Sequence, residues 1–221
     1  MKRLILFLII ITLMLLPALS LADKDVCDMS TEELLSLRLM INDELASRVQ
    51  IEEIPDSTPI ADLFPDKTVA KNIRDQLGLF STADPVTQEQ LDRITKVSIV
   101  RSDETEVSSI EGIQHLRNLE ELNLGYQHIT ELPEEIGTLT NLTELYLYDT
   151  ELSVLPDSIC NLTNLEVLHL GGSSLVALPD DIGNLSSLKT LKIDHTKITS
   201  LPASIRNLQL DEFDREGLDI D

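Results

Sequence analysis

Apolar residues recur along residues 116–208 with one fixed period. Five leucines mark it, each 23 residues after the last: Leu116, Leu139, Leu162, Leu185 and Leu208. Within the first unit, further apolar residues follow at fixed offsets, and later units repeat them: Leu119, Leu122, Leu124, Ile129, Leu132 and Ile136. Leu122 and Leu124 are two residues apart, which places both side chains on one face of an extended strand. The pattern therefore predicts one short strand in each unit.

A proline follows the sixth apolar position of each unit: Pro133, Pro156, Pro179 and Pro202. Because proline disrupts a regular helix interior, the return segment should turn back toward the next strand. A single unit cannot bury its apolar face, so neighbouring units stack their strands into a parallel sheet over one shared core. A period in the low twenties around LxxLxL is typical of leucine-rich repeats. We predict an α/β solenoid, with a curved parallel sheet of about five to six short strands and a small helical N-terminal cap.

One polar residue in each unit occupies a position otherwise surrounded by apolar residues. These residues are Gln127, Thr150, Ser173 and Thr196. A buried backbone turn needs hydrogen-bond partners, and short polar side chains supply them locally. All four are expected to bond the turn backbone.

The N-terminus has the pattern of a secretory signal peptide. Lys2 and Arg3 precede an apolar run at 4–16, then Pro17 and a small-residue end at 20–22. We predict cleavage after Ala22, a secreted or cell-surface protein, and no stable membrane span once the signal is removed. An uncleaved anchor is the alternative, although Pro17 interrupts a run that is short for a bilayer.

Four segments should follow this signal at 1–22. Residues 23–58 form a leader, in which Ser30 and Glu33 resemble a capping box before an amphipathic helix at about 31–48, followed by a linker. That helix either binds a partner or covers a neighbouring core. Residues 59–95 form a helical cap, residues 96–208 the repeats and residues 209–221 a short acidic end. In the cap, Gly78 should close one helix, and Thr87 with Gln90 should open another.

Three consecutive stretches resemble one family. They read PIADLFPDKTVAKNIRDQLG, then VTQEQLDRITKVSI, then SSIEGIQHLRNLEELNLGYQHIT. They look like the N-terminal cap and first repeats of internalins, which are secreted or wall-attached leucine-rich-repeat proteins of Gram-positive bacteria. The resemblance covers about residues 58–132, and the repeats continue it to about Leu208. Internalins bind host-cell surface proteins through the concave sheet face, so the resemblance implies adhesion or recognition, a role associated with virulence.

Charge and cysteine content narrow the possible functions. The formal net charge is -22, which disfavours nucleic-acid binding because phosphates require clustered Lys and Arg. We interpret the acidity mainly as a solvated surface, and recognition of a basic partner is the alternative. Cys27 and Cys160 could pair in an exported protein, but Cys160 is expected at a solvent-side repeat position. Their spacing leaves the pairing open.

Strand alternation predicts which residues line the concave face. All three tyrosines of the chain fall there, and exposed aromatic residues on a rigid surface favour protein binding. Strand positions also favour tyrosine for packing alone. Gly171 and Gly172 should leave a flat gap. The predicted ligand-binding residues are Asn123, Tyr126, Tyr146, Tyr148, Asp149, His169, Lys192, Asp194 and His195.

We predict no catalytic or metal-binding site on the concave face. His169, His195 and Asp194 lack the further ligands that a metal site requires, and no nucleophile arrangement or phosphate-binding loop is found, so we expect no catalytic residue, metal or cofactor. We predict a non-catalytic extracellular module that binds a protein or glycoprotein ligand. A receptor on a host-cell surface is one possible ligand. The alternative is a structural or regulatory partner within the envelope of the producing bacterium. An enzyme would need an attached catalytic domain.

Overall fold

The computed structural model describes residues 58–99, 101 and 105–218. The predicted signal peptide, the helix at about 31–48 and Cys27 lie outside the described residues. Within the described part, no helix is long and apolar enough to cross a bilayer.

The N-terminal cap combines two short antiparallel strands with three helices. Strand β1, Thr58–Pro59, pairs antiparallel with β2, Pro85–Val86. The helices span Ile60–Leu63, Lys67–Leu77 and Gln88–Leu91. Gly78 ends the longest helix at φ 66°, and Thr87 with Gln90 forms a full capping box at the start of the last. Both predicted helix boundaries are therefore confirmed.

Six short parallel strands follow, and each pairs only with its neighbours in the chain order. They are β3 Lys96–Ser98, β4 Glu121–Asn123, β5 Glu144–Tyr146, β6 Val167–His169, β7 Thr190–Lys192 and β8 Glu212–Asp214. The central residue of each strand pairs with the central residue of the next strand. Leu122 pairs with Leu145, and Leu145 pairs with Leu168. This arrangement confirms the leucine-rich-repeat solenoid. The last strand lies beyond residue 208, where we placed the end of the repeats.

Short 3₁₀ helices form the return segments on the opposite side of the core. They span Ile113–His115, Glu134–Thr138, Asp157–Asn161, Ile182–Asn184 and Ala203–Asn207. Each repeat proline begins such a turn, because its carbonyl accepts a hydrogen bond three residues later, as Pro133 does from Ile136 N at 3.1 Å. A proline fits here since its missing N–H would have no helical partner.

The core is a stack of nearly identical leucine layers. Leu122, Leu145, Leu168 and Leu191 are all 0% exposed. Burial of one such side chain contributes about 1.5–3 kcal/mol. Because each layer contacts only the layers before and after it, the stability of the solenoid depends on every layer in sequence.

The polar interior positions behave as expected at three of the four repeats. Gln127 donates to Ile99 O at 3.1 Å and accepts from Val107 N at 2.9 Å. Thr150 and Thr196 each donate to the carbonyl three residues before, at 2.8 Å. Ser173 differs, because its buried hydroxyl has no hydrogen-bond partner among the described residues.

The cap is attached to the repeats through backbone and side-chain contacts. Asp66 accepts from Thr68 N and Val69 N at the helix start, and also from Ser108 N at 3.0 Å. Gly112, at φ 91°, lies directly against the backbone of Leu63. These contacts cover the first leucine layer, which would otherwise be exposed at the end of the solenoid.

Cys160 does not occupy the solvent-side position that we predicted. It is only 5% exposed, within the return segment Asp157–Asn161. Burial, with smaller contributions from Asp181 and Asp157, raises the pKa of its thiol to about 11. No disulfide partner for it is found within the described residues. A buried, protonated thiol packs as a small apolar side chain.

Candidate functional site

The concave face, defined as the sheet face that points away from the leucine core, presents side chains in register. Glu121, Glu144, Val167 and Thr190 form one line across the strands. The second line, two residues later, contains Asn123, Tyr146, His169 and Lys192. This spacing follows from strand alternation, which sends the intervening leucines into the core.

Four aromatic side chains contact one another across three successive repeats, and we call them the ring cluster: Tyr126, Tyr146, Tyr148 and His169. The rings of Tyr126 and Tyr148 meet edge to face with centroids 5.1 Å apart. Tyr148 stacks on His169 at 4.8 Å, and Tyr146 approaches His169 edge-on at 6.4 Å. Tyr126 is 53% exposed. The ring cluster is therefore a pre-arranged aromatic surface open to solvent.

Tyr146 is held by a carboxylate on its own strand. Its hydroxyl donates to Glu144 Oε2 at 2.7 Å. Burial raises the pKa of Tyr146 to about 12, helped by this hydrogen bond and by the negative charges of Glu144 and Glu121. The phenol is thus a fixed, neutral donor.

Alkaline titration should detect this hydrogen bond. We expect Tyr146 to ionise near pH 12, above its ordinary value of 10.0. Because the folded protein holds this proton more tightly than the unfolded chain, the contribution to stability is complete below about pH 10 and is lost as pH rises through about 12. The difference in phenolate absorbance between the parent and Tyr146→Phe measures this titration. Glu144→Gln should lower the midpoint, and an unchanged midpoint would contradict the assigned bond.

The surroundings of His169 and Lys192, both in the second line, shift their pKa values in opposite directions. Burial lowers the pKa of His169, and Lys192 adds to that effect, while Asp194, Asp149 and Asp214 oppose it. His169 therefore favours the neutral ring that stacks on Tyr148. Lys192 forms an ion pair with Glu212 at 2.8 Å, and this hydrogen bond is the main reason that the pKa of Lys192 is raised. Its charge is already matched by a carboxylate.

The predicted flat gap at Gly171 and Gly172 is wrong. A Cβ on Gly171 would lie 2.3 Å from Asp194 Oδ1, and one on Gly172 would lie 2.4 Å from Asp149 Oδ1. Likewise, a Cβ on Gly125 would lie 2.3 Å from Tyr148 Cζ. Larger side chains thus lean over the glycines of adjacent repeats and fill the space that the glycines leave.

Five of the predicted site residues lie in turns rather than in strands: Tyr126, Tyr148, Asp149, Asp194 and His195. Three of these five also have an unusual backbone conformation. Tyr126, Asp149 and His195 have left-handed backbones, with φ 62°, 52° and 53°. Such a conformation is uncommon for residues other than glycine, and it projects these side chains from the edge of the face where the chain leaves each strand. These three residues lie three positions beyond the ends of β4, β5 and β7 and are not extended strand residues.

The arrangement therefore brings together Tyr126, Tyr146, Tyr148 and His169. Asn123 precedes Tyr146 in its line and accepts from Gly125 N at 3.2 Å. His195 lies near the chain end, with its N–H donating to Glu216 O at 2.8 Å. Sequence reasoning did not single out Glu144 or Glu212, which fix Tyr146 and Lys192. Their positions in the strand register could have identified them, because both face the same side as the tyrosines.

Two families match the sequence. The family described as "Leucine-rich repeat region" matches residues 90–176. The family described as "Bacterial adhesion/invasion protein N terminal" matches residues 47–92, which includes most of the cap. Among curated proteins, Internalin C of Listeria monocytogenes is 34% identical over 88 residues. The match covers 40% of this chain and 29% of Internalin C. Internalin H of the same species is 37% identical over 97 residues, covering 44% of this chain and 17% of its own.

Solved structures show the same fold. The chain is similar to an internalin (InlF) of Listeria monocytogenes, with a TM-score of 0.57 and 26% identity, covering 70% of this chain and 57% of the other. The functional domain of InlJ from Listeria monocytogenes gives a TM-score of 0.63 at 25% identity. The match covers 74% of this chain and 34% of the InlJ chain. A leucine-rich-repeat protein of Leptospira interrogans gives 0.53 at 27% identity, covering 65% and 41%.

The chain spans less than a third of the length of the curated relatives that it matches. The part that the two families match includes most of the cap and the repeats through β6, which position most of the concave face. Repeats of this kind form protein-interaction modules and are generally non-catalytic. The chain is an internalin-like leucine-rich-repeat protein.

Proposed function

We propose that this protein recognises a protein or glycoprotein ligand outside the cell through the concave face, with the ring cluster at the centre of the contact. The observation that supports this most is that all three tyrosines of the chain meet on that face, where Tyr146 and Tyr148 contact His169 and Tyr126 contacts Tyr148. Aromatic side chains on a rigid sheet lose little conformational entropy on binding, and tyrosine is enriched where binding energy concentrates.

An extracellular role rests on the N-terminal sequence. The signal-peptide pattern at residues 1–22 favours export, and the matching N-terminal family is described as a bacterial adhesion and invasion protein segment. The ligand then belongs either to a host-cell surface or to the envelope of the producing bacterium. The same surface serves both cases, so only a binding experiment distinguishes them.

Replacing Tyr146 and Tyr148 together by Ala should abolish ligand capture. Each is expected to act as a binding hot spot worth about 2 kcal/mol or more. The affinity should therefore fall about thirtyfold for one such loss and about 700-fold for the pair if the two losses add. The measurement is capture of surface proteins from producer cells and from candidate host cells, followed by titration of the captured protein. Tyrosine-dependent capture from host cells alone supports adhesion, and capture from the producer supports an envelope role.

Phe80→Ala is the matched control for this experiment. Phe80 is 99% exposed in the cap, away from the sheet, so its removal deletes a ring without touching the concave face. Phe80→Ala should unfold at the denaturant concentration of the parent. The tyrosine variant should stay folded but unfold at a somewhat lower concentration, because it loses the ring contacts and the bond to Glu144. If the tyrosine variant captures the same proteins with parental affinity, the ring cluster is not the binding site.

A further inference from the structure

The charges around the ring cluster are unequally distributed. Lys96 is paired with Glu121 at 2.6 Å, and Lys192 with Glu212 at 2.8 Å. Both lysines of the strand face are therefore matched already. Among the described residues, Glu144, Asp149 and Asp194 form no ion pair with a basic side chain, and Glu144 accepts only from a tyrosine. The face keeps a surplus of negative charge after its own ion pairs are formed.

That surplus lies beside the rings. Glu144 accepts from Tyr146, and both Asp149 and Asp194 act electrostatically on His169. Asp194 leans over Gly171, and its Oδ1 is buried without a hydrogen-bond donor among the described residues. An acceptor of this kind is costly unless a donor reaches it. The carboxylates of Asp149 and Asp194 thus lie close enough to the rings to act on His169, and no ion pair within the described part of the chain neutralises their charge.

Aromatic faces and carboxylates attract the same type of group. A guanidinium or an ammonium interacts with the electron-rich face of a tyrosine, and it pairs with carboxylates through charge-assisted hydrogen bonds. We propose that the segment contacting the ring cluster is basic, with an arginine or lysine side chain that lies against Tyr148 and reaches Asp149 and Asp194. This proposal rests on the proposed function and specifies the chemistry of its partner.

The occupant is a protein segment rather than a metal ion or a small amine. No group of three or more potential metal ligands is assembled in the part of the chain that the structure describes. The rings span three adjacent repeats on an open sheet, and Tyr126 is 53% exposed. An open surface of that width favours an extended partner that makes several contacts.

The test uses the purified protein and matched peptides of equal length. One peptide alternates arginine with serine, a second replaces each arginine by uncharged citrulline, and a third replaces it by glutamate. We expect saturable binding of the arginine peptide, weakened by salt, with shifts of the Tyr148 and His169 ring signals in nuclear magnetic resonance spectra. Equal binding of the citrulline peptide, or preference for the glutamate peptide, would overturn the proposal.

Variants in which aspartates are replaced by asparagines test where the arginine peptide binds. Asp149→Asn with Asp194→Asn removes two carboxylates without changing side-chain shape, and asparagine tolerates the left-handed backbone at position 149. The affinity for the arginine peptide should fall about fivefold to tenfold. Asp157→Asn with Asp180→Asn is the control, because it removes the same charge from exposed return segments. An equal loss in both variants would show general charge attraction and would refute a site at the rings.

Two further outcomes separate the hypotheses. If spermine binds as tightly as the arginine peptide, the surface selects small amines and the protein-segment assignment is wrong. If the Asp149 and Asp194 variant captures its cellular ligand with parental affinity while the tyrosine variant does not, recognition by the concave face stands and the basic partner is refuted.

Discussion

Replacing Leu168 by Ala should lower the free energy of unfolding by about 2 to 5 kcal/mol. Leu168 is 0% exposed at the centre of β6, in register with Leu145 and Leu191 on the neighbouring strands. The cavity would lie in the middle of a short array, where each repeat is stabilised only by the repeats beside it. Such a loss is comparable to the whole stability of a small domain, so part of the population should unfold at room temperature. Urea denaturation measures the change.

Val176→Ala is the control for that substitution. Val176 lies in the same region of the solenoid but is 51% exposed, so its truncation should alter stability by less than about 0.5 kcal/mol. Limited proteolysis gives a second readout, since an unfolded repeat is cleaved. If Leu168→Ala resists urea and protease as well as Val176→Ala does, the repeat register described above is wrong.

The regular part of this fold could be predicted because each of its causes is local or periodic. The repeated spacing of Leu122 and Leu124 places two side chains on one face, and stacking follows since one unit cannot bury them alone. The capping box of Thr87 and Gln90 and the terminal Gly78 are likewise decided within a few residues. These features required no knowledge of distant contacts.

Irregular features depend on contacts between repeats, and the sequence did not reveal them. Gly171 suggested a flat gap, yet Asp194 of the next repeat fills it. Cys160 occupies a position that holds Gly137 and Gly183 in two neighbouring repeats and Arg206 in the last, so the sequence suggested a solvent-side position, yet the side chain is buried. The strand β8 fits the pattern only if one residue is deleted, because Phe213 stands opposite Leu191 after 22 residues instead of 23. The repeats therefore extend beyond residue 208, where the unbroken period ends.

Strand alternation predicted that certain side chains share one face of the sheet, but it did not predict how they contact one another. Alternation placed Tyr146 and His169 on one face, and the register confirms this position. The stacking of Tyr148 on His169 and the bond from Tyr146 to Glu144 depend on side-chain rotamers. Those rotamers are selected by packing across strands, and spacing alone does not determine them.

Gly112→Ala should separate the cap from the repeats. A Cβ at this position would lie 1.8 Å from the carbonyl oxygen of Leu63 and 2.9 Å from its carbonyl carbon, and the backbone is at φ 91°. Since both contacts are to backbone, a rotamer change cannot relieve them, and one helix of the cap must move. Left-handed strain and overpacking together should cost about 2 to 5 kcal/mol.

Gly78→Ala isolates the clash from the backbone strain. Gly78 also has a positive φ, at 66°, but a Cβ there would meet nothing within 4 Å. This control should therefore lose only about 1 kcal/mol, which is the cost of a left-handed alanine. Hydrogen exchange of the cap amides distinguishes the two variants, because Gly112→Ala should expose the helix Lys67–Leu77 while the later repeats stay protected. If both variants exchange and unfold alike, the cap does not depend on the close contact between Gly112 and Leu63.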